Sequence, residues 1–119
     1  MNNTQNSKKY DLGPRTLRFA GNAIAYVKEL PKTLTNNEIS KQLARSACSV
    51  GANFIEAEER LSRKDFVMRI KICRKEAKET RYWLALSDPL QEQEFKKQEL
   101  YQEALELTKI FGSIVEKCR

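Results

Sequence analysis

Apolar residues recur at spacings of three and four along most of the chain, which is the period of amphipathic α-helices. The pattern predicts a first helix at about 14–30, a second that starts in the segment TNNE (35–38), a third at about 62–86 and a fourth at about 94–118. Short connections make sequential helices antiparallel neighbours. The expected fold is therefore all-α, an antiparallel up-down-up-down four-helix bundle.

Each predicted helix has an apolar side that is expected to face the core. In the first helix this stripe is Leu17, Ala20, Ile24 and Val27. In the second it is Ile39, Leu43, Ala47, Val50, Phe54 and Ala57, and in the third Phe66, Ile70, Cys73, Ala77, Thr80 and Leu84. The fourth has a broader arc: Leu100, Tyr101, Ala104, Leu105, Leu107, Thr108, Phe111, Ile114, Val115 and Cys118.

Prolines and capping residues indicate where the helices begin. Pro14 is tolerated at the first helical position. Thr35, with Glu38 three residues later, is typical of a capping box at the start of the second helix. Ser62 is the expected N-cap of the third.

Three helices carry more apolar surface than one core requires. The flank of the second helix holds Ala44, Cys48, Gly51, Ala52 and Ile55; the third holds Met68, Ile72, Trp83 and Leu86, about 100–160° from its core stripe; and the first adds Phe19 and Tyr26. Exposed apolar patches of this kind usually mark a partner surface. We therefore expect a homo-oligomer with these residues at its interface. The alternative is a wider core in which they lie under loops.

The charge of the chain is concentrated on the third helix. The 119 residues carry a net charge of +6, and residues 62–86 hold eight Lys or Arg against three Asp or Glu. Seven of these cations fall within one arc of roughly 120° and form what we call the basic stripe: Arg63, Lys64, Lys71, Arg74, Lys75, Lys78 and Arg81. A row of cations on a rigid helix can follow a phosphate backbone. The alternative is a solvated face without a partner.

Several kinds of chemistry lack the residues they need. The chain contains no His and only three widely spaced Cys, which are expected to be reduced packing residues, so neither a Ser–His nucleophile nor a zinc site is predicted. Ser46, Ser49, Asn53 and Glu56 share one side of the second helix, and we interpret them as helix–helix hydrogen-bonding residues. No catalytic residue, metal or cofactor is expected.

The length suits one domain, placed at residues 11–119 behind a disordered tail at 1–10. No segment has the apolar length of a membrane span or the core of a signal peptide. A cytoplasmic protein without membrane association is expected.

Five segments together resemble a known bacterial family: RTLRFA (15–20), LPKT (30–33), RSACSVGANFIEAE (45–58), SRKDF (62–66) and KEAKETRYWL (75–84). The family is named after proteins encoded in intervening sequences of 23S rRNA genes, and the similarity spans about residues 8–88. It implies a four-helix bundle and a ring-like homo-oligomer, often a pentamer. The family is distantly similar to the accessory proteins of diversity-generating retroelements, which are pentameric bundles with basic surfaces that associate with a reverse transcriptase and nucleic acid. No enzymatic activity is implied.

The sequence thus predicts a non-enzymatic homo-oligomer, with a pentamer favoured, that binds nucleic acid through the basic stripe, with RNA favoured over DNA as the ligand. The alternative is a protein-interaction scaffold or accessory subunit whose partner is another protein and which makes no direct contact with nucleic acid.

Overall fold

The architecture is the predicted four-helix bundle. A computed structural model describes residues 11–119 of the chain, and the tail predicted at 1–10 lies outside the described residues. The helices are α1 (Leu12–Glu29), α2 (Leu34–Glu58), α3 (Arg63–Leu86) and α4 (Glu94–Lys117), with a 3₁₀ turn at Gln91–Gln93 before α4. α3 packs along both α2 and α4, whereas α1 packs along α2 and meets α4 over a shorter length.

The N-cap of α3 is confirmed and that of α2 is wrong. The Ser62 hydroxyl accepts a hydrogen bond from the Asp65 backbone N–H at 3.0 Å. In α2, Thr33 rather than Thr35 is the cap, and its hydroxyl accepts from the backbone N–H of Asn36 at 3.1 Å.

A contact from outside the helix explains the earlier start of α2. The buried Asn36 side chain donates to the carbonyl oxygen of Asp88 at 2.9 Å and accepts from the Asp88 N–H at 3.0 Å. It also donates to the carbonyl oxygen of Pro31 at 3.1 Å. These bonds hold Asn36 inside the first turn, so Thr35 is already helical and cannot serve as the cap.

The predicted core stripes of α2 and α3 are confirmed, and that of α4 is the buried centre of its arc. Every predicted core residue on α2 and α3 is buried except Phe54 and Phe66, which are partly buried and pack against the core. On α4 the fully buried members are Leu100, Ala104, Leu107, Phe111 and Val115.

Most of the predicted core face of α1 is wrong: Val27 packs against the core, but Leu17 and Ile24 are exposed. Leu17 is 73% exposed, whereas Phe19 and Tyr26 are each 1% exposed. The prediction that places Phe19 and Tyr26 at an interface with another subunit is therefore also wrong, because both are enclosed within one chain. Aromatic side chains bury more apolar surface than the aliphatic residues of the other stripe. The buried Tyr26 hydroxyl also has a partner, the Ser87 hydroxyl at 2.7 Å.

The small residues on the flank of α2 are partly explained by α1. A Cβ atom added at Gly51 would lie 3.3 Å from the Thr16 hydroxyl oxygen, which is tighter than most Cβ contacts. Thr16 is itself buried, and its hydroxyl donates to the Leu12 carbonyl oxygen at 2.7 Å. Gly51 therefore allows two helices of the same chain to approach closely. Cys48, Ala52 and Ile55 lie farther round α2 and remain exposed.

Candidate nucleic-acid interface

The basic stripe lies on the outer side of α3, facing away from the core and towards α4. The opposite side of the helix is fixed in the core by Ile70, Cys73, Ala77 and Leu84. Arg63, Lys64, Lys71, Lys75 and Lys78 are exposed, while Arg74 and Arg81 are half-buried. The structure therefore brings all seven predicted residues together on one helix.

Most cations of the basic stripe have no carboxylate partner among the described residues. Among residues 11–119, only Lys75 of the seven has a carboxylate oxygen within 4.0 Å of its charged nitrogen, that of Glu76 at 3.8 Å. Arg63 donates instead to the carbonyl oxygen of Cys118, at 2.9 Å. Lys64, Lys71, Arg74, Lys78 and Arg81 have no ion-pair partner among the described residues.

Several cations elsewhere on the bundle are paired with acidic residues, whereas others, such as Arg18 and Lys109, have no carboxylate partner among the described residues. Arg15 donates to both carboxylate oxygens of Glu103, at 2.7 and 2.9 Å, and to Glu106 at 2.9 Å. The hydrogen bond to Glu103 raises the pKa of Arg15 above its usual value. This cluster joins α1 to α4 across a groove of about 470 Å³.

The carboxylates of α3 itself are engaged on the side facing α2. Arg45 of α2 lies 3.4 Å from a Glu76 oxygen and 2.7 Å from a Glu79 oxygen. Arg69 of α3, which is not part of the stripe, donates to the Asn53 side chain at 3.0 Å and lies 3.8 Å from Asp65. The acidic residues of α3 are thus drawn to the opposite edge of the helix, and positive charge predominates on the edge facing α4.

Two arginines of the stripe, Arg74 and Arg81, are half-buried, and Arg74 lies against α4. A Cβ atom at Gly112 would lie 3.7 Å from Cδ of Arg74, an ordinary van der Waals distance, so the arginine stem approaches α4 at this residue. The Nε of Arg81 is buried without a hydrogen-bond partner among the described residues. The exposed members of the stripe, Arg63 and the four lysines, are therefore its most accessible charges.

The remaining apolar residues predicted at an interface divide into exposed and half-buried groups. Met68 and Leu86 of α3 are exposed, as are Cys48, Ala52 and Ile55 of α2. Trp83 is half-buried and packs against the core, and Ala44, Gly51 and Ile72 are also half-buried.

Two exposed interface candidates on α1 are absent from the predicted set. Leu17 and Ile24 lie beyond Thr16 on the outward side of the seam between α1 and α2. The exposed small residues of α2 border the same seam. We call Leu17, Ala20, Ile24, Ala44, Cys48, Ala52 and Ile55 the α1–α2 apolar face. The sequence pattern did not predict the α1 residues of this face as interface residues, because their helical spacing is equally typical of a core stripe.

Of the four polar residues of α2 that were expected to make helix–helix hydrogen bonds, Ser46 and Asn53 do so, whereas Ser49 bonds within its own helix. The hydroxyls of Ser46 and Thr80 are 2.8 Å apart in the core. Asn53 accepts from Arg69 at 3.0 Å, and its amide donates to the Ser49 hydroxyl at 3.0 Å. Glu56 is exposed.

The three cysteines are free, and burial separates them. Cys73 is a buried packing residue, and burial raises the pKa of its thiol to about 12. Cys48 is exposed, so the prediction that it is a packing residue is wrong for the single chain. No cluster of residues suited to holding a metal ion is found between residues 11 and 119.

Comparison with known proteins identifies the family of the chain and a solved structure with a similar fold. The family described as "23S rRNA-intervening sequence protein" matches residues 8–114, so the chain belongs to this family. A crystal structure from Bacteroides thetaiotaomicron VPI-5482, described as a protein with unknown function from the S23 ribosomal protein family, is similar at 34% identity. The match has a TM-score of 0.72 and covers 87% of this chain and 94% of that one. No curated protein matches the chain. Over the part of the chain that the structure describes, no helix is long and apolar enough to cross a membrane.

Proposed function

We propose that the protein is a non-enzymatic, cytoplasmic homo-oligomer that binds nucleic acid through the basic stripe. The observation that carries the proposal is the row of cations on α3 without carboxylate partners, in contrast to the paired Arg15, Arg45 and Arg69. Phosphates are the natural counter-charge for such a row, and neutralising them releases condensed counterions. The names of the family and of the similar structure refer to rRNA and to a ribosomal protein, which favours RNA over DNA.

Salt dependence tests this proposal directly. If four or five cations of the stripe contact phosphates, log K for a single-stranded RNA should fall against log[salt] with a slope of about −3. Fluorescence anisotropy with labelled oligouridine, titrated at several salt concentrations, measures this slope. Binding that is absent, or that is indifferent to salt, would contradict the proposal. It would favour the alternative scaffold, in which a protein partner uses the same surface.

Self-association is supported by the apolar surface that the bundle leaves uncovered. The α1–α2 apolar face spans two helices, and Met68 and Leu86 add an exposed apolar pair on α3. Such patches usually mark contacts between proteins. The α1–α2 apolar face lies on a different side of the bundle from the edge of α3 that faces α4. Subunits that associate through it leave the basic stripe free.

Light scattering should give a mass that is a multiple of the 13.8 kDa protomer, with five copies expected. Leu17→Asp places a charge on the α1–α2 apolar face and is expected to reduce this mass, because an unpaired charge is costly to bury. Leu61→Asp is the matched control, since Leu61 is also exposed but belongs to the connection between α2 and α3. A monomeric mass for the parent at micromolar concentration would contradict the proposed oligomer.

A further inference from the structure

One aromatic side chain lies among the cations of the basic stripe. Tyr82 follows Lys78 by four residues and Lys75 by seven, so all three share one side of α3. It follows Lys64 by eighteen residues, which is five full turns, and the two therefore have the same direction around the helix. The distance along the helix axis from Lys64 to Tyr82 is about 27 Å.

The ring of Tyr82 is accessible and is held in place by its neighbour. Tyr82 is 58% exposed. It meets the indole of Trp83 edge-on, with ring centroids 4.9 Å apart and an interplanar angle of 74°. Trp83 is in turn packed against the core. One side chain thus presents an open aromatic face on a rigid support.

Other aromatic rings of the described chain do not combine exposure with this position. Phe66 lies on the core side of α3, and the Arg60 guanidinium covers its ring at 4.9 Å from the centroid. Phe95 is 70% exposed but belongs to the first turn of α4 and not to the basic stripe. Tyr82 is therefore the exposed ring that a chain bound along the basic stripe meets.

We propose that Tyr82 stacks an unpaired base, which makes the preferred ligand of the basic stripe a single-stranded nucleic acid. The proposal rests on the proposed function and specifies its ligand. Proteins that bind single strands combine a positively charged track for the phosphates with aromatic rings on which bases stack. In a duplex the bases are stacked on one another, so only the phosphates are available to this face and Tyr82 contributes nothing.

The test compares Tyr82→Ala with the parent on two probes, labelled oligouridine RNA and the same strand annealed to oligoadenosine. At fixed salt, Tyr82→Ala should weaken single-strand binding by about ten-fold, within the range found for loss of one stacked base. Its affinity for the duplex should be unchanged. Tyr82→Phe, which keeps the ring, should bind like the parent. Phe95→Ala, which removes an exposed ring outside the basic stripe, should also bind both probes like the parent.

The single tryptophan gives a second readout. Because Trp83 touches Tyr82, the single strand should change its fluorescence in the parent and in Tyr82→Phe, and the duplex should not. Equal single-strand affinity for Tyr82→Ala and the parent would overturn the stacking proposal, as would an equal loss on both probes. If charge reversal in the stripe still abolishes binding in those cases, the proposed function survives without Tyr82. A parent that binds neither probe overturns both proposals.

Discussion

Replacing Phe19 with alanine is expected to lower the free energy of unfolding by about 3–5 kcal/mol, the usual cost of removing a buried aromatic ring. The side chain is 1% exposed and belongs to the core cluster of the bundle. Domains of this size are stable by only about 5–15 kcal/mol in total. The variant should therefore be close to unfolding at physiological temperature. Urea denaturation followed by circular dichroism, at one fixed protein concentration, measures the change.

Leu17→Ala is the matched control, since it shortens an apolar side chain on the same helix only two residues away. Because Leu17 is 73% exposed in the single chain, its loss should change the free energy of unfolding of the dissociated protomer by no more than about 0.5 kcal/mol. The comparison is therefore made below the concentration at which light scattering detects the oligomer. The opposite result, with Leu17→Ala costly and Phe19→Ala tolerated, would contradict the face that α1 buries. It would restore the stripe that the sequence pattern favours.

This pair of residues shows why the sequence alone did not orient α1. The helix has two sets of apolar residues at helical spacing, and periodicity ranks neither above the other. The outcome depends on contacts from elsewhere in the chain. The Tyr26 hydroxyl needs the Ser87 hydroxyl, which lies 61 residues away and is invisible to a local pattern. The core faces of α2 and α3 were predictable because each stripe runs unbroken along its helix, whereas the second apolar set consists mostly of small residues on α2 and is interrupted between Ile72 and Trp83 on α3.

The residue at which α2 begins also depends on a contact from a distant part of the chain. Thr33 and Thr35 are both acceptable caps by residue type. The contact between Asn36 and Asp88 decides between them, and it joins residues 52 positions apart. At Ser62 there is no competing signal, and there the local sequence predicted the cap correctly.

The position of the candidate interface was predictable from the sequence. Which of its cations are paired with carboxylates was not. Helical geometry alone places the seven cations of the basic stripe in one arc. Whether a cation is neutralised depends on the helix beside it. Arg45 meets Glu76 and Glu79 across the seam with α3, whereas Arg74 meets Gly112 and no carboxylate. The structure therefore adds the distinction between paired and unpaired cations, on which the proposed function depends.

Reversing the charges of Lys71, Arg74 and Lys78 to glutamate is expected to weaken RNA binding by at least about 100-fold near 0.1 M salt. The estimate follows from losing three phosphate contacts, before any repulsion by the new carboxylates is counted. The salt slope should also fall, from about −3 to about −1, as one or two contacts remain. Anisotropy with labelled oligouridine measures both quantities.

The control separates position from total charge. Arg18, Lys28 and Lys96 are exposed and lie on α1 and α4, away from the basic stripe. Reversing these three changes the net charge of +6 by the same six units as reversing Lys71, Arg74 and Lys78. If RNA binding depends on net charge alone, the two triple variants should lose the same amount of affinity. If it follows the stripe, the control should keep most of the parent affinity and its full salt slope.

A last variant guards against loss of folding. Arg74 is half-buried against α4, so its reversal can disturb the bundle as well as the surface. Replacing the exposed Lys64, Lys71 and Lys78 with glutamine removes three charges without adding any and leaves Arg74 in place. Circular dichroism and light scattering should match the parent, while RNA affinity should still fall. Retained affinity in a folded, correctly assembled glutamine variant would show that the stripe does not bind RNA, and the protein-interaction scaffold would then be the better account of this surface.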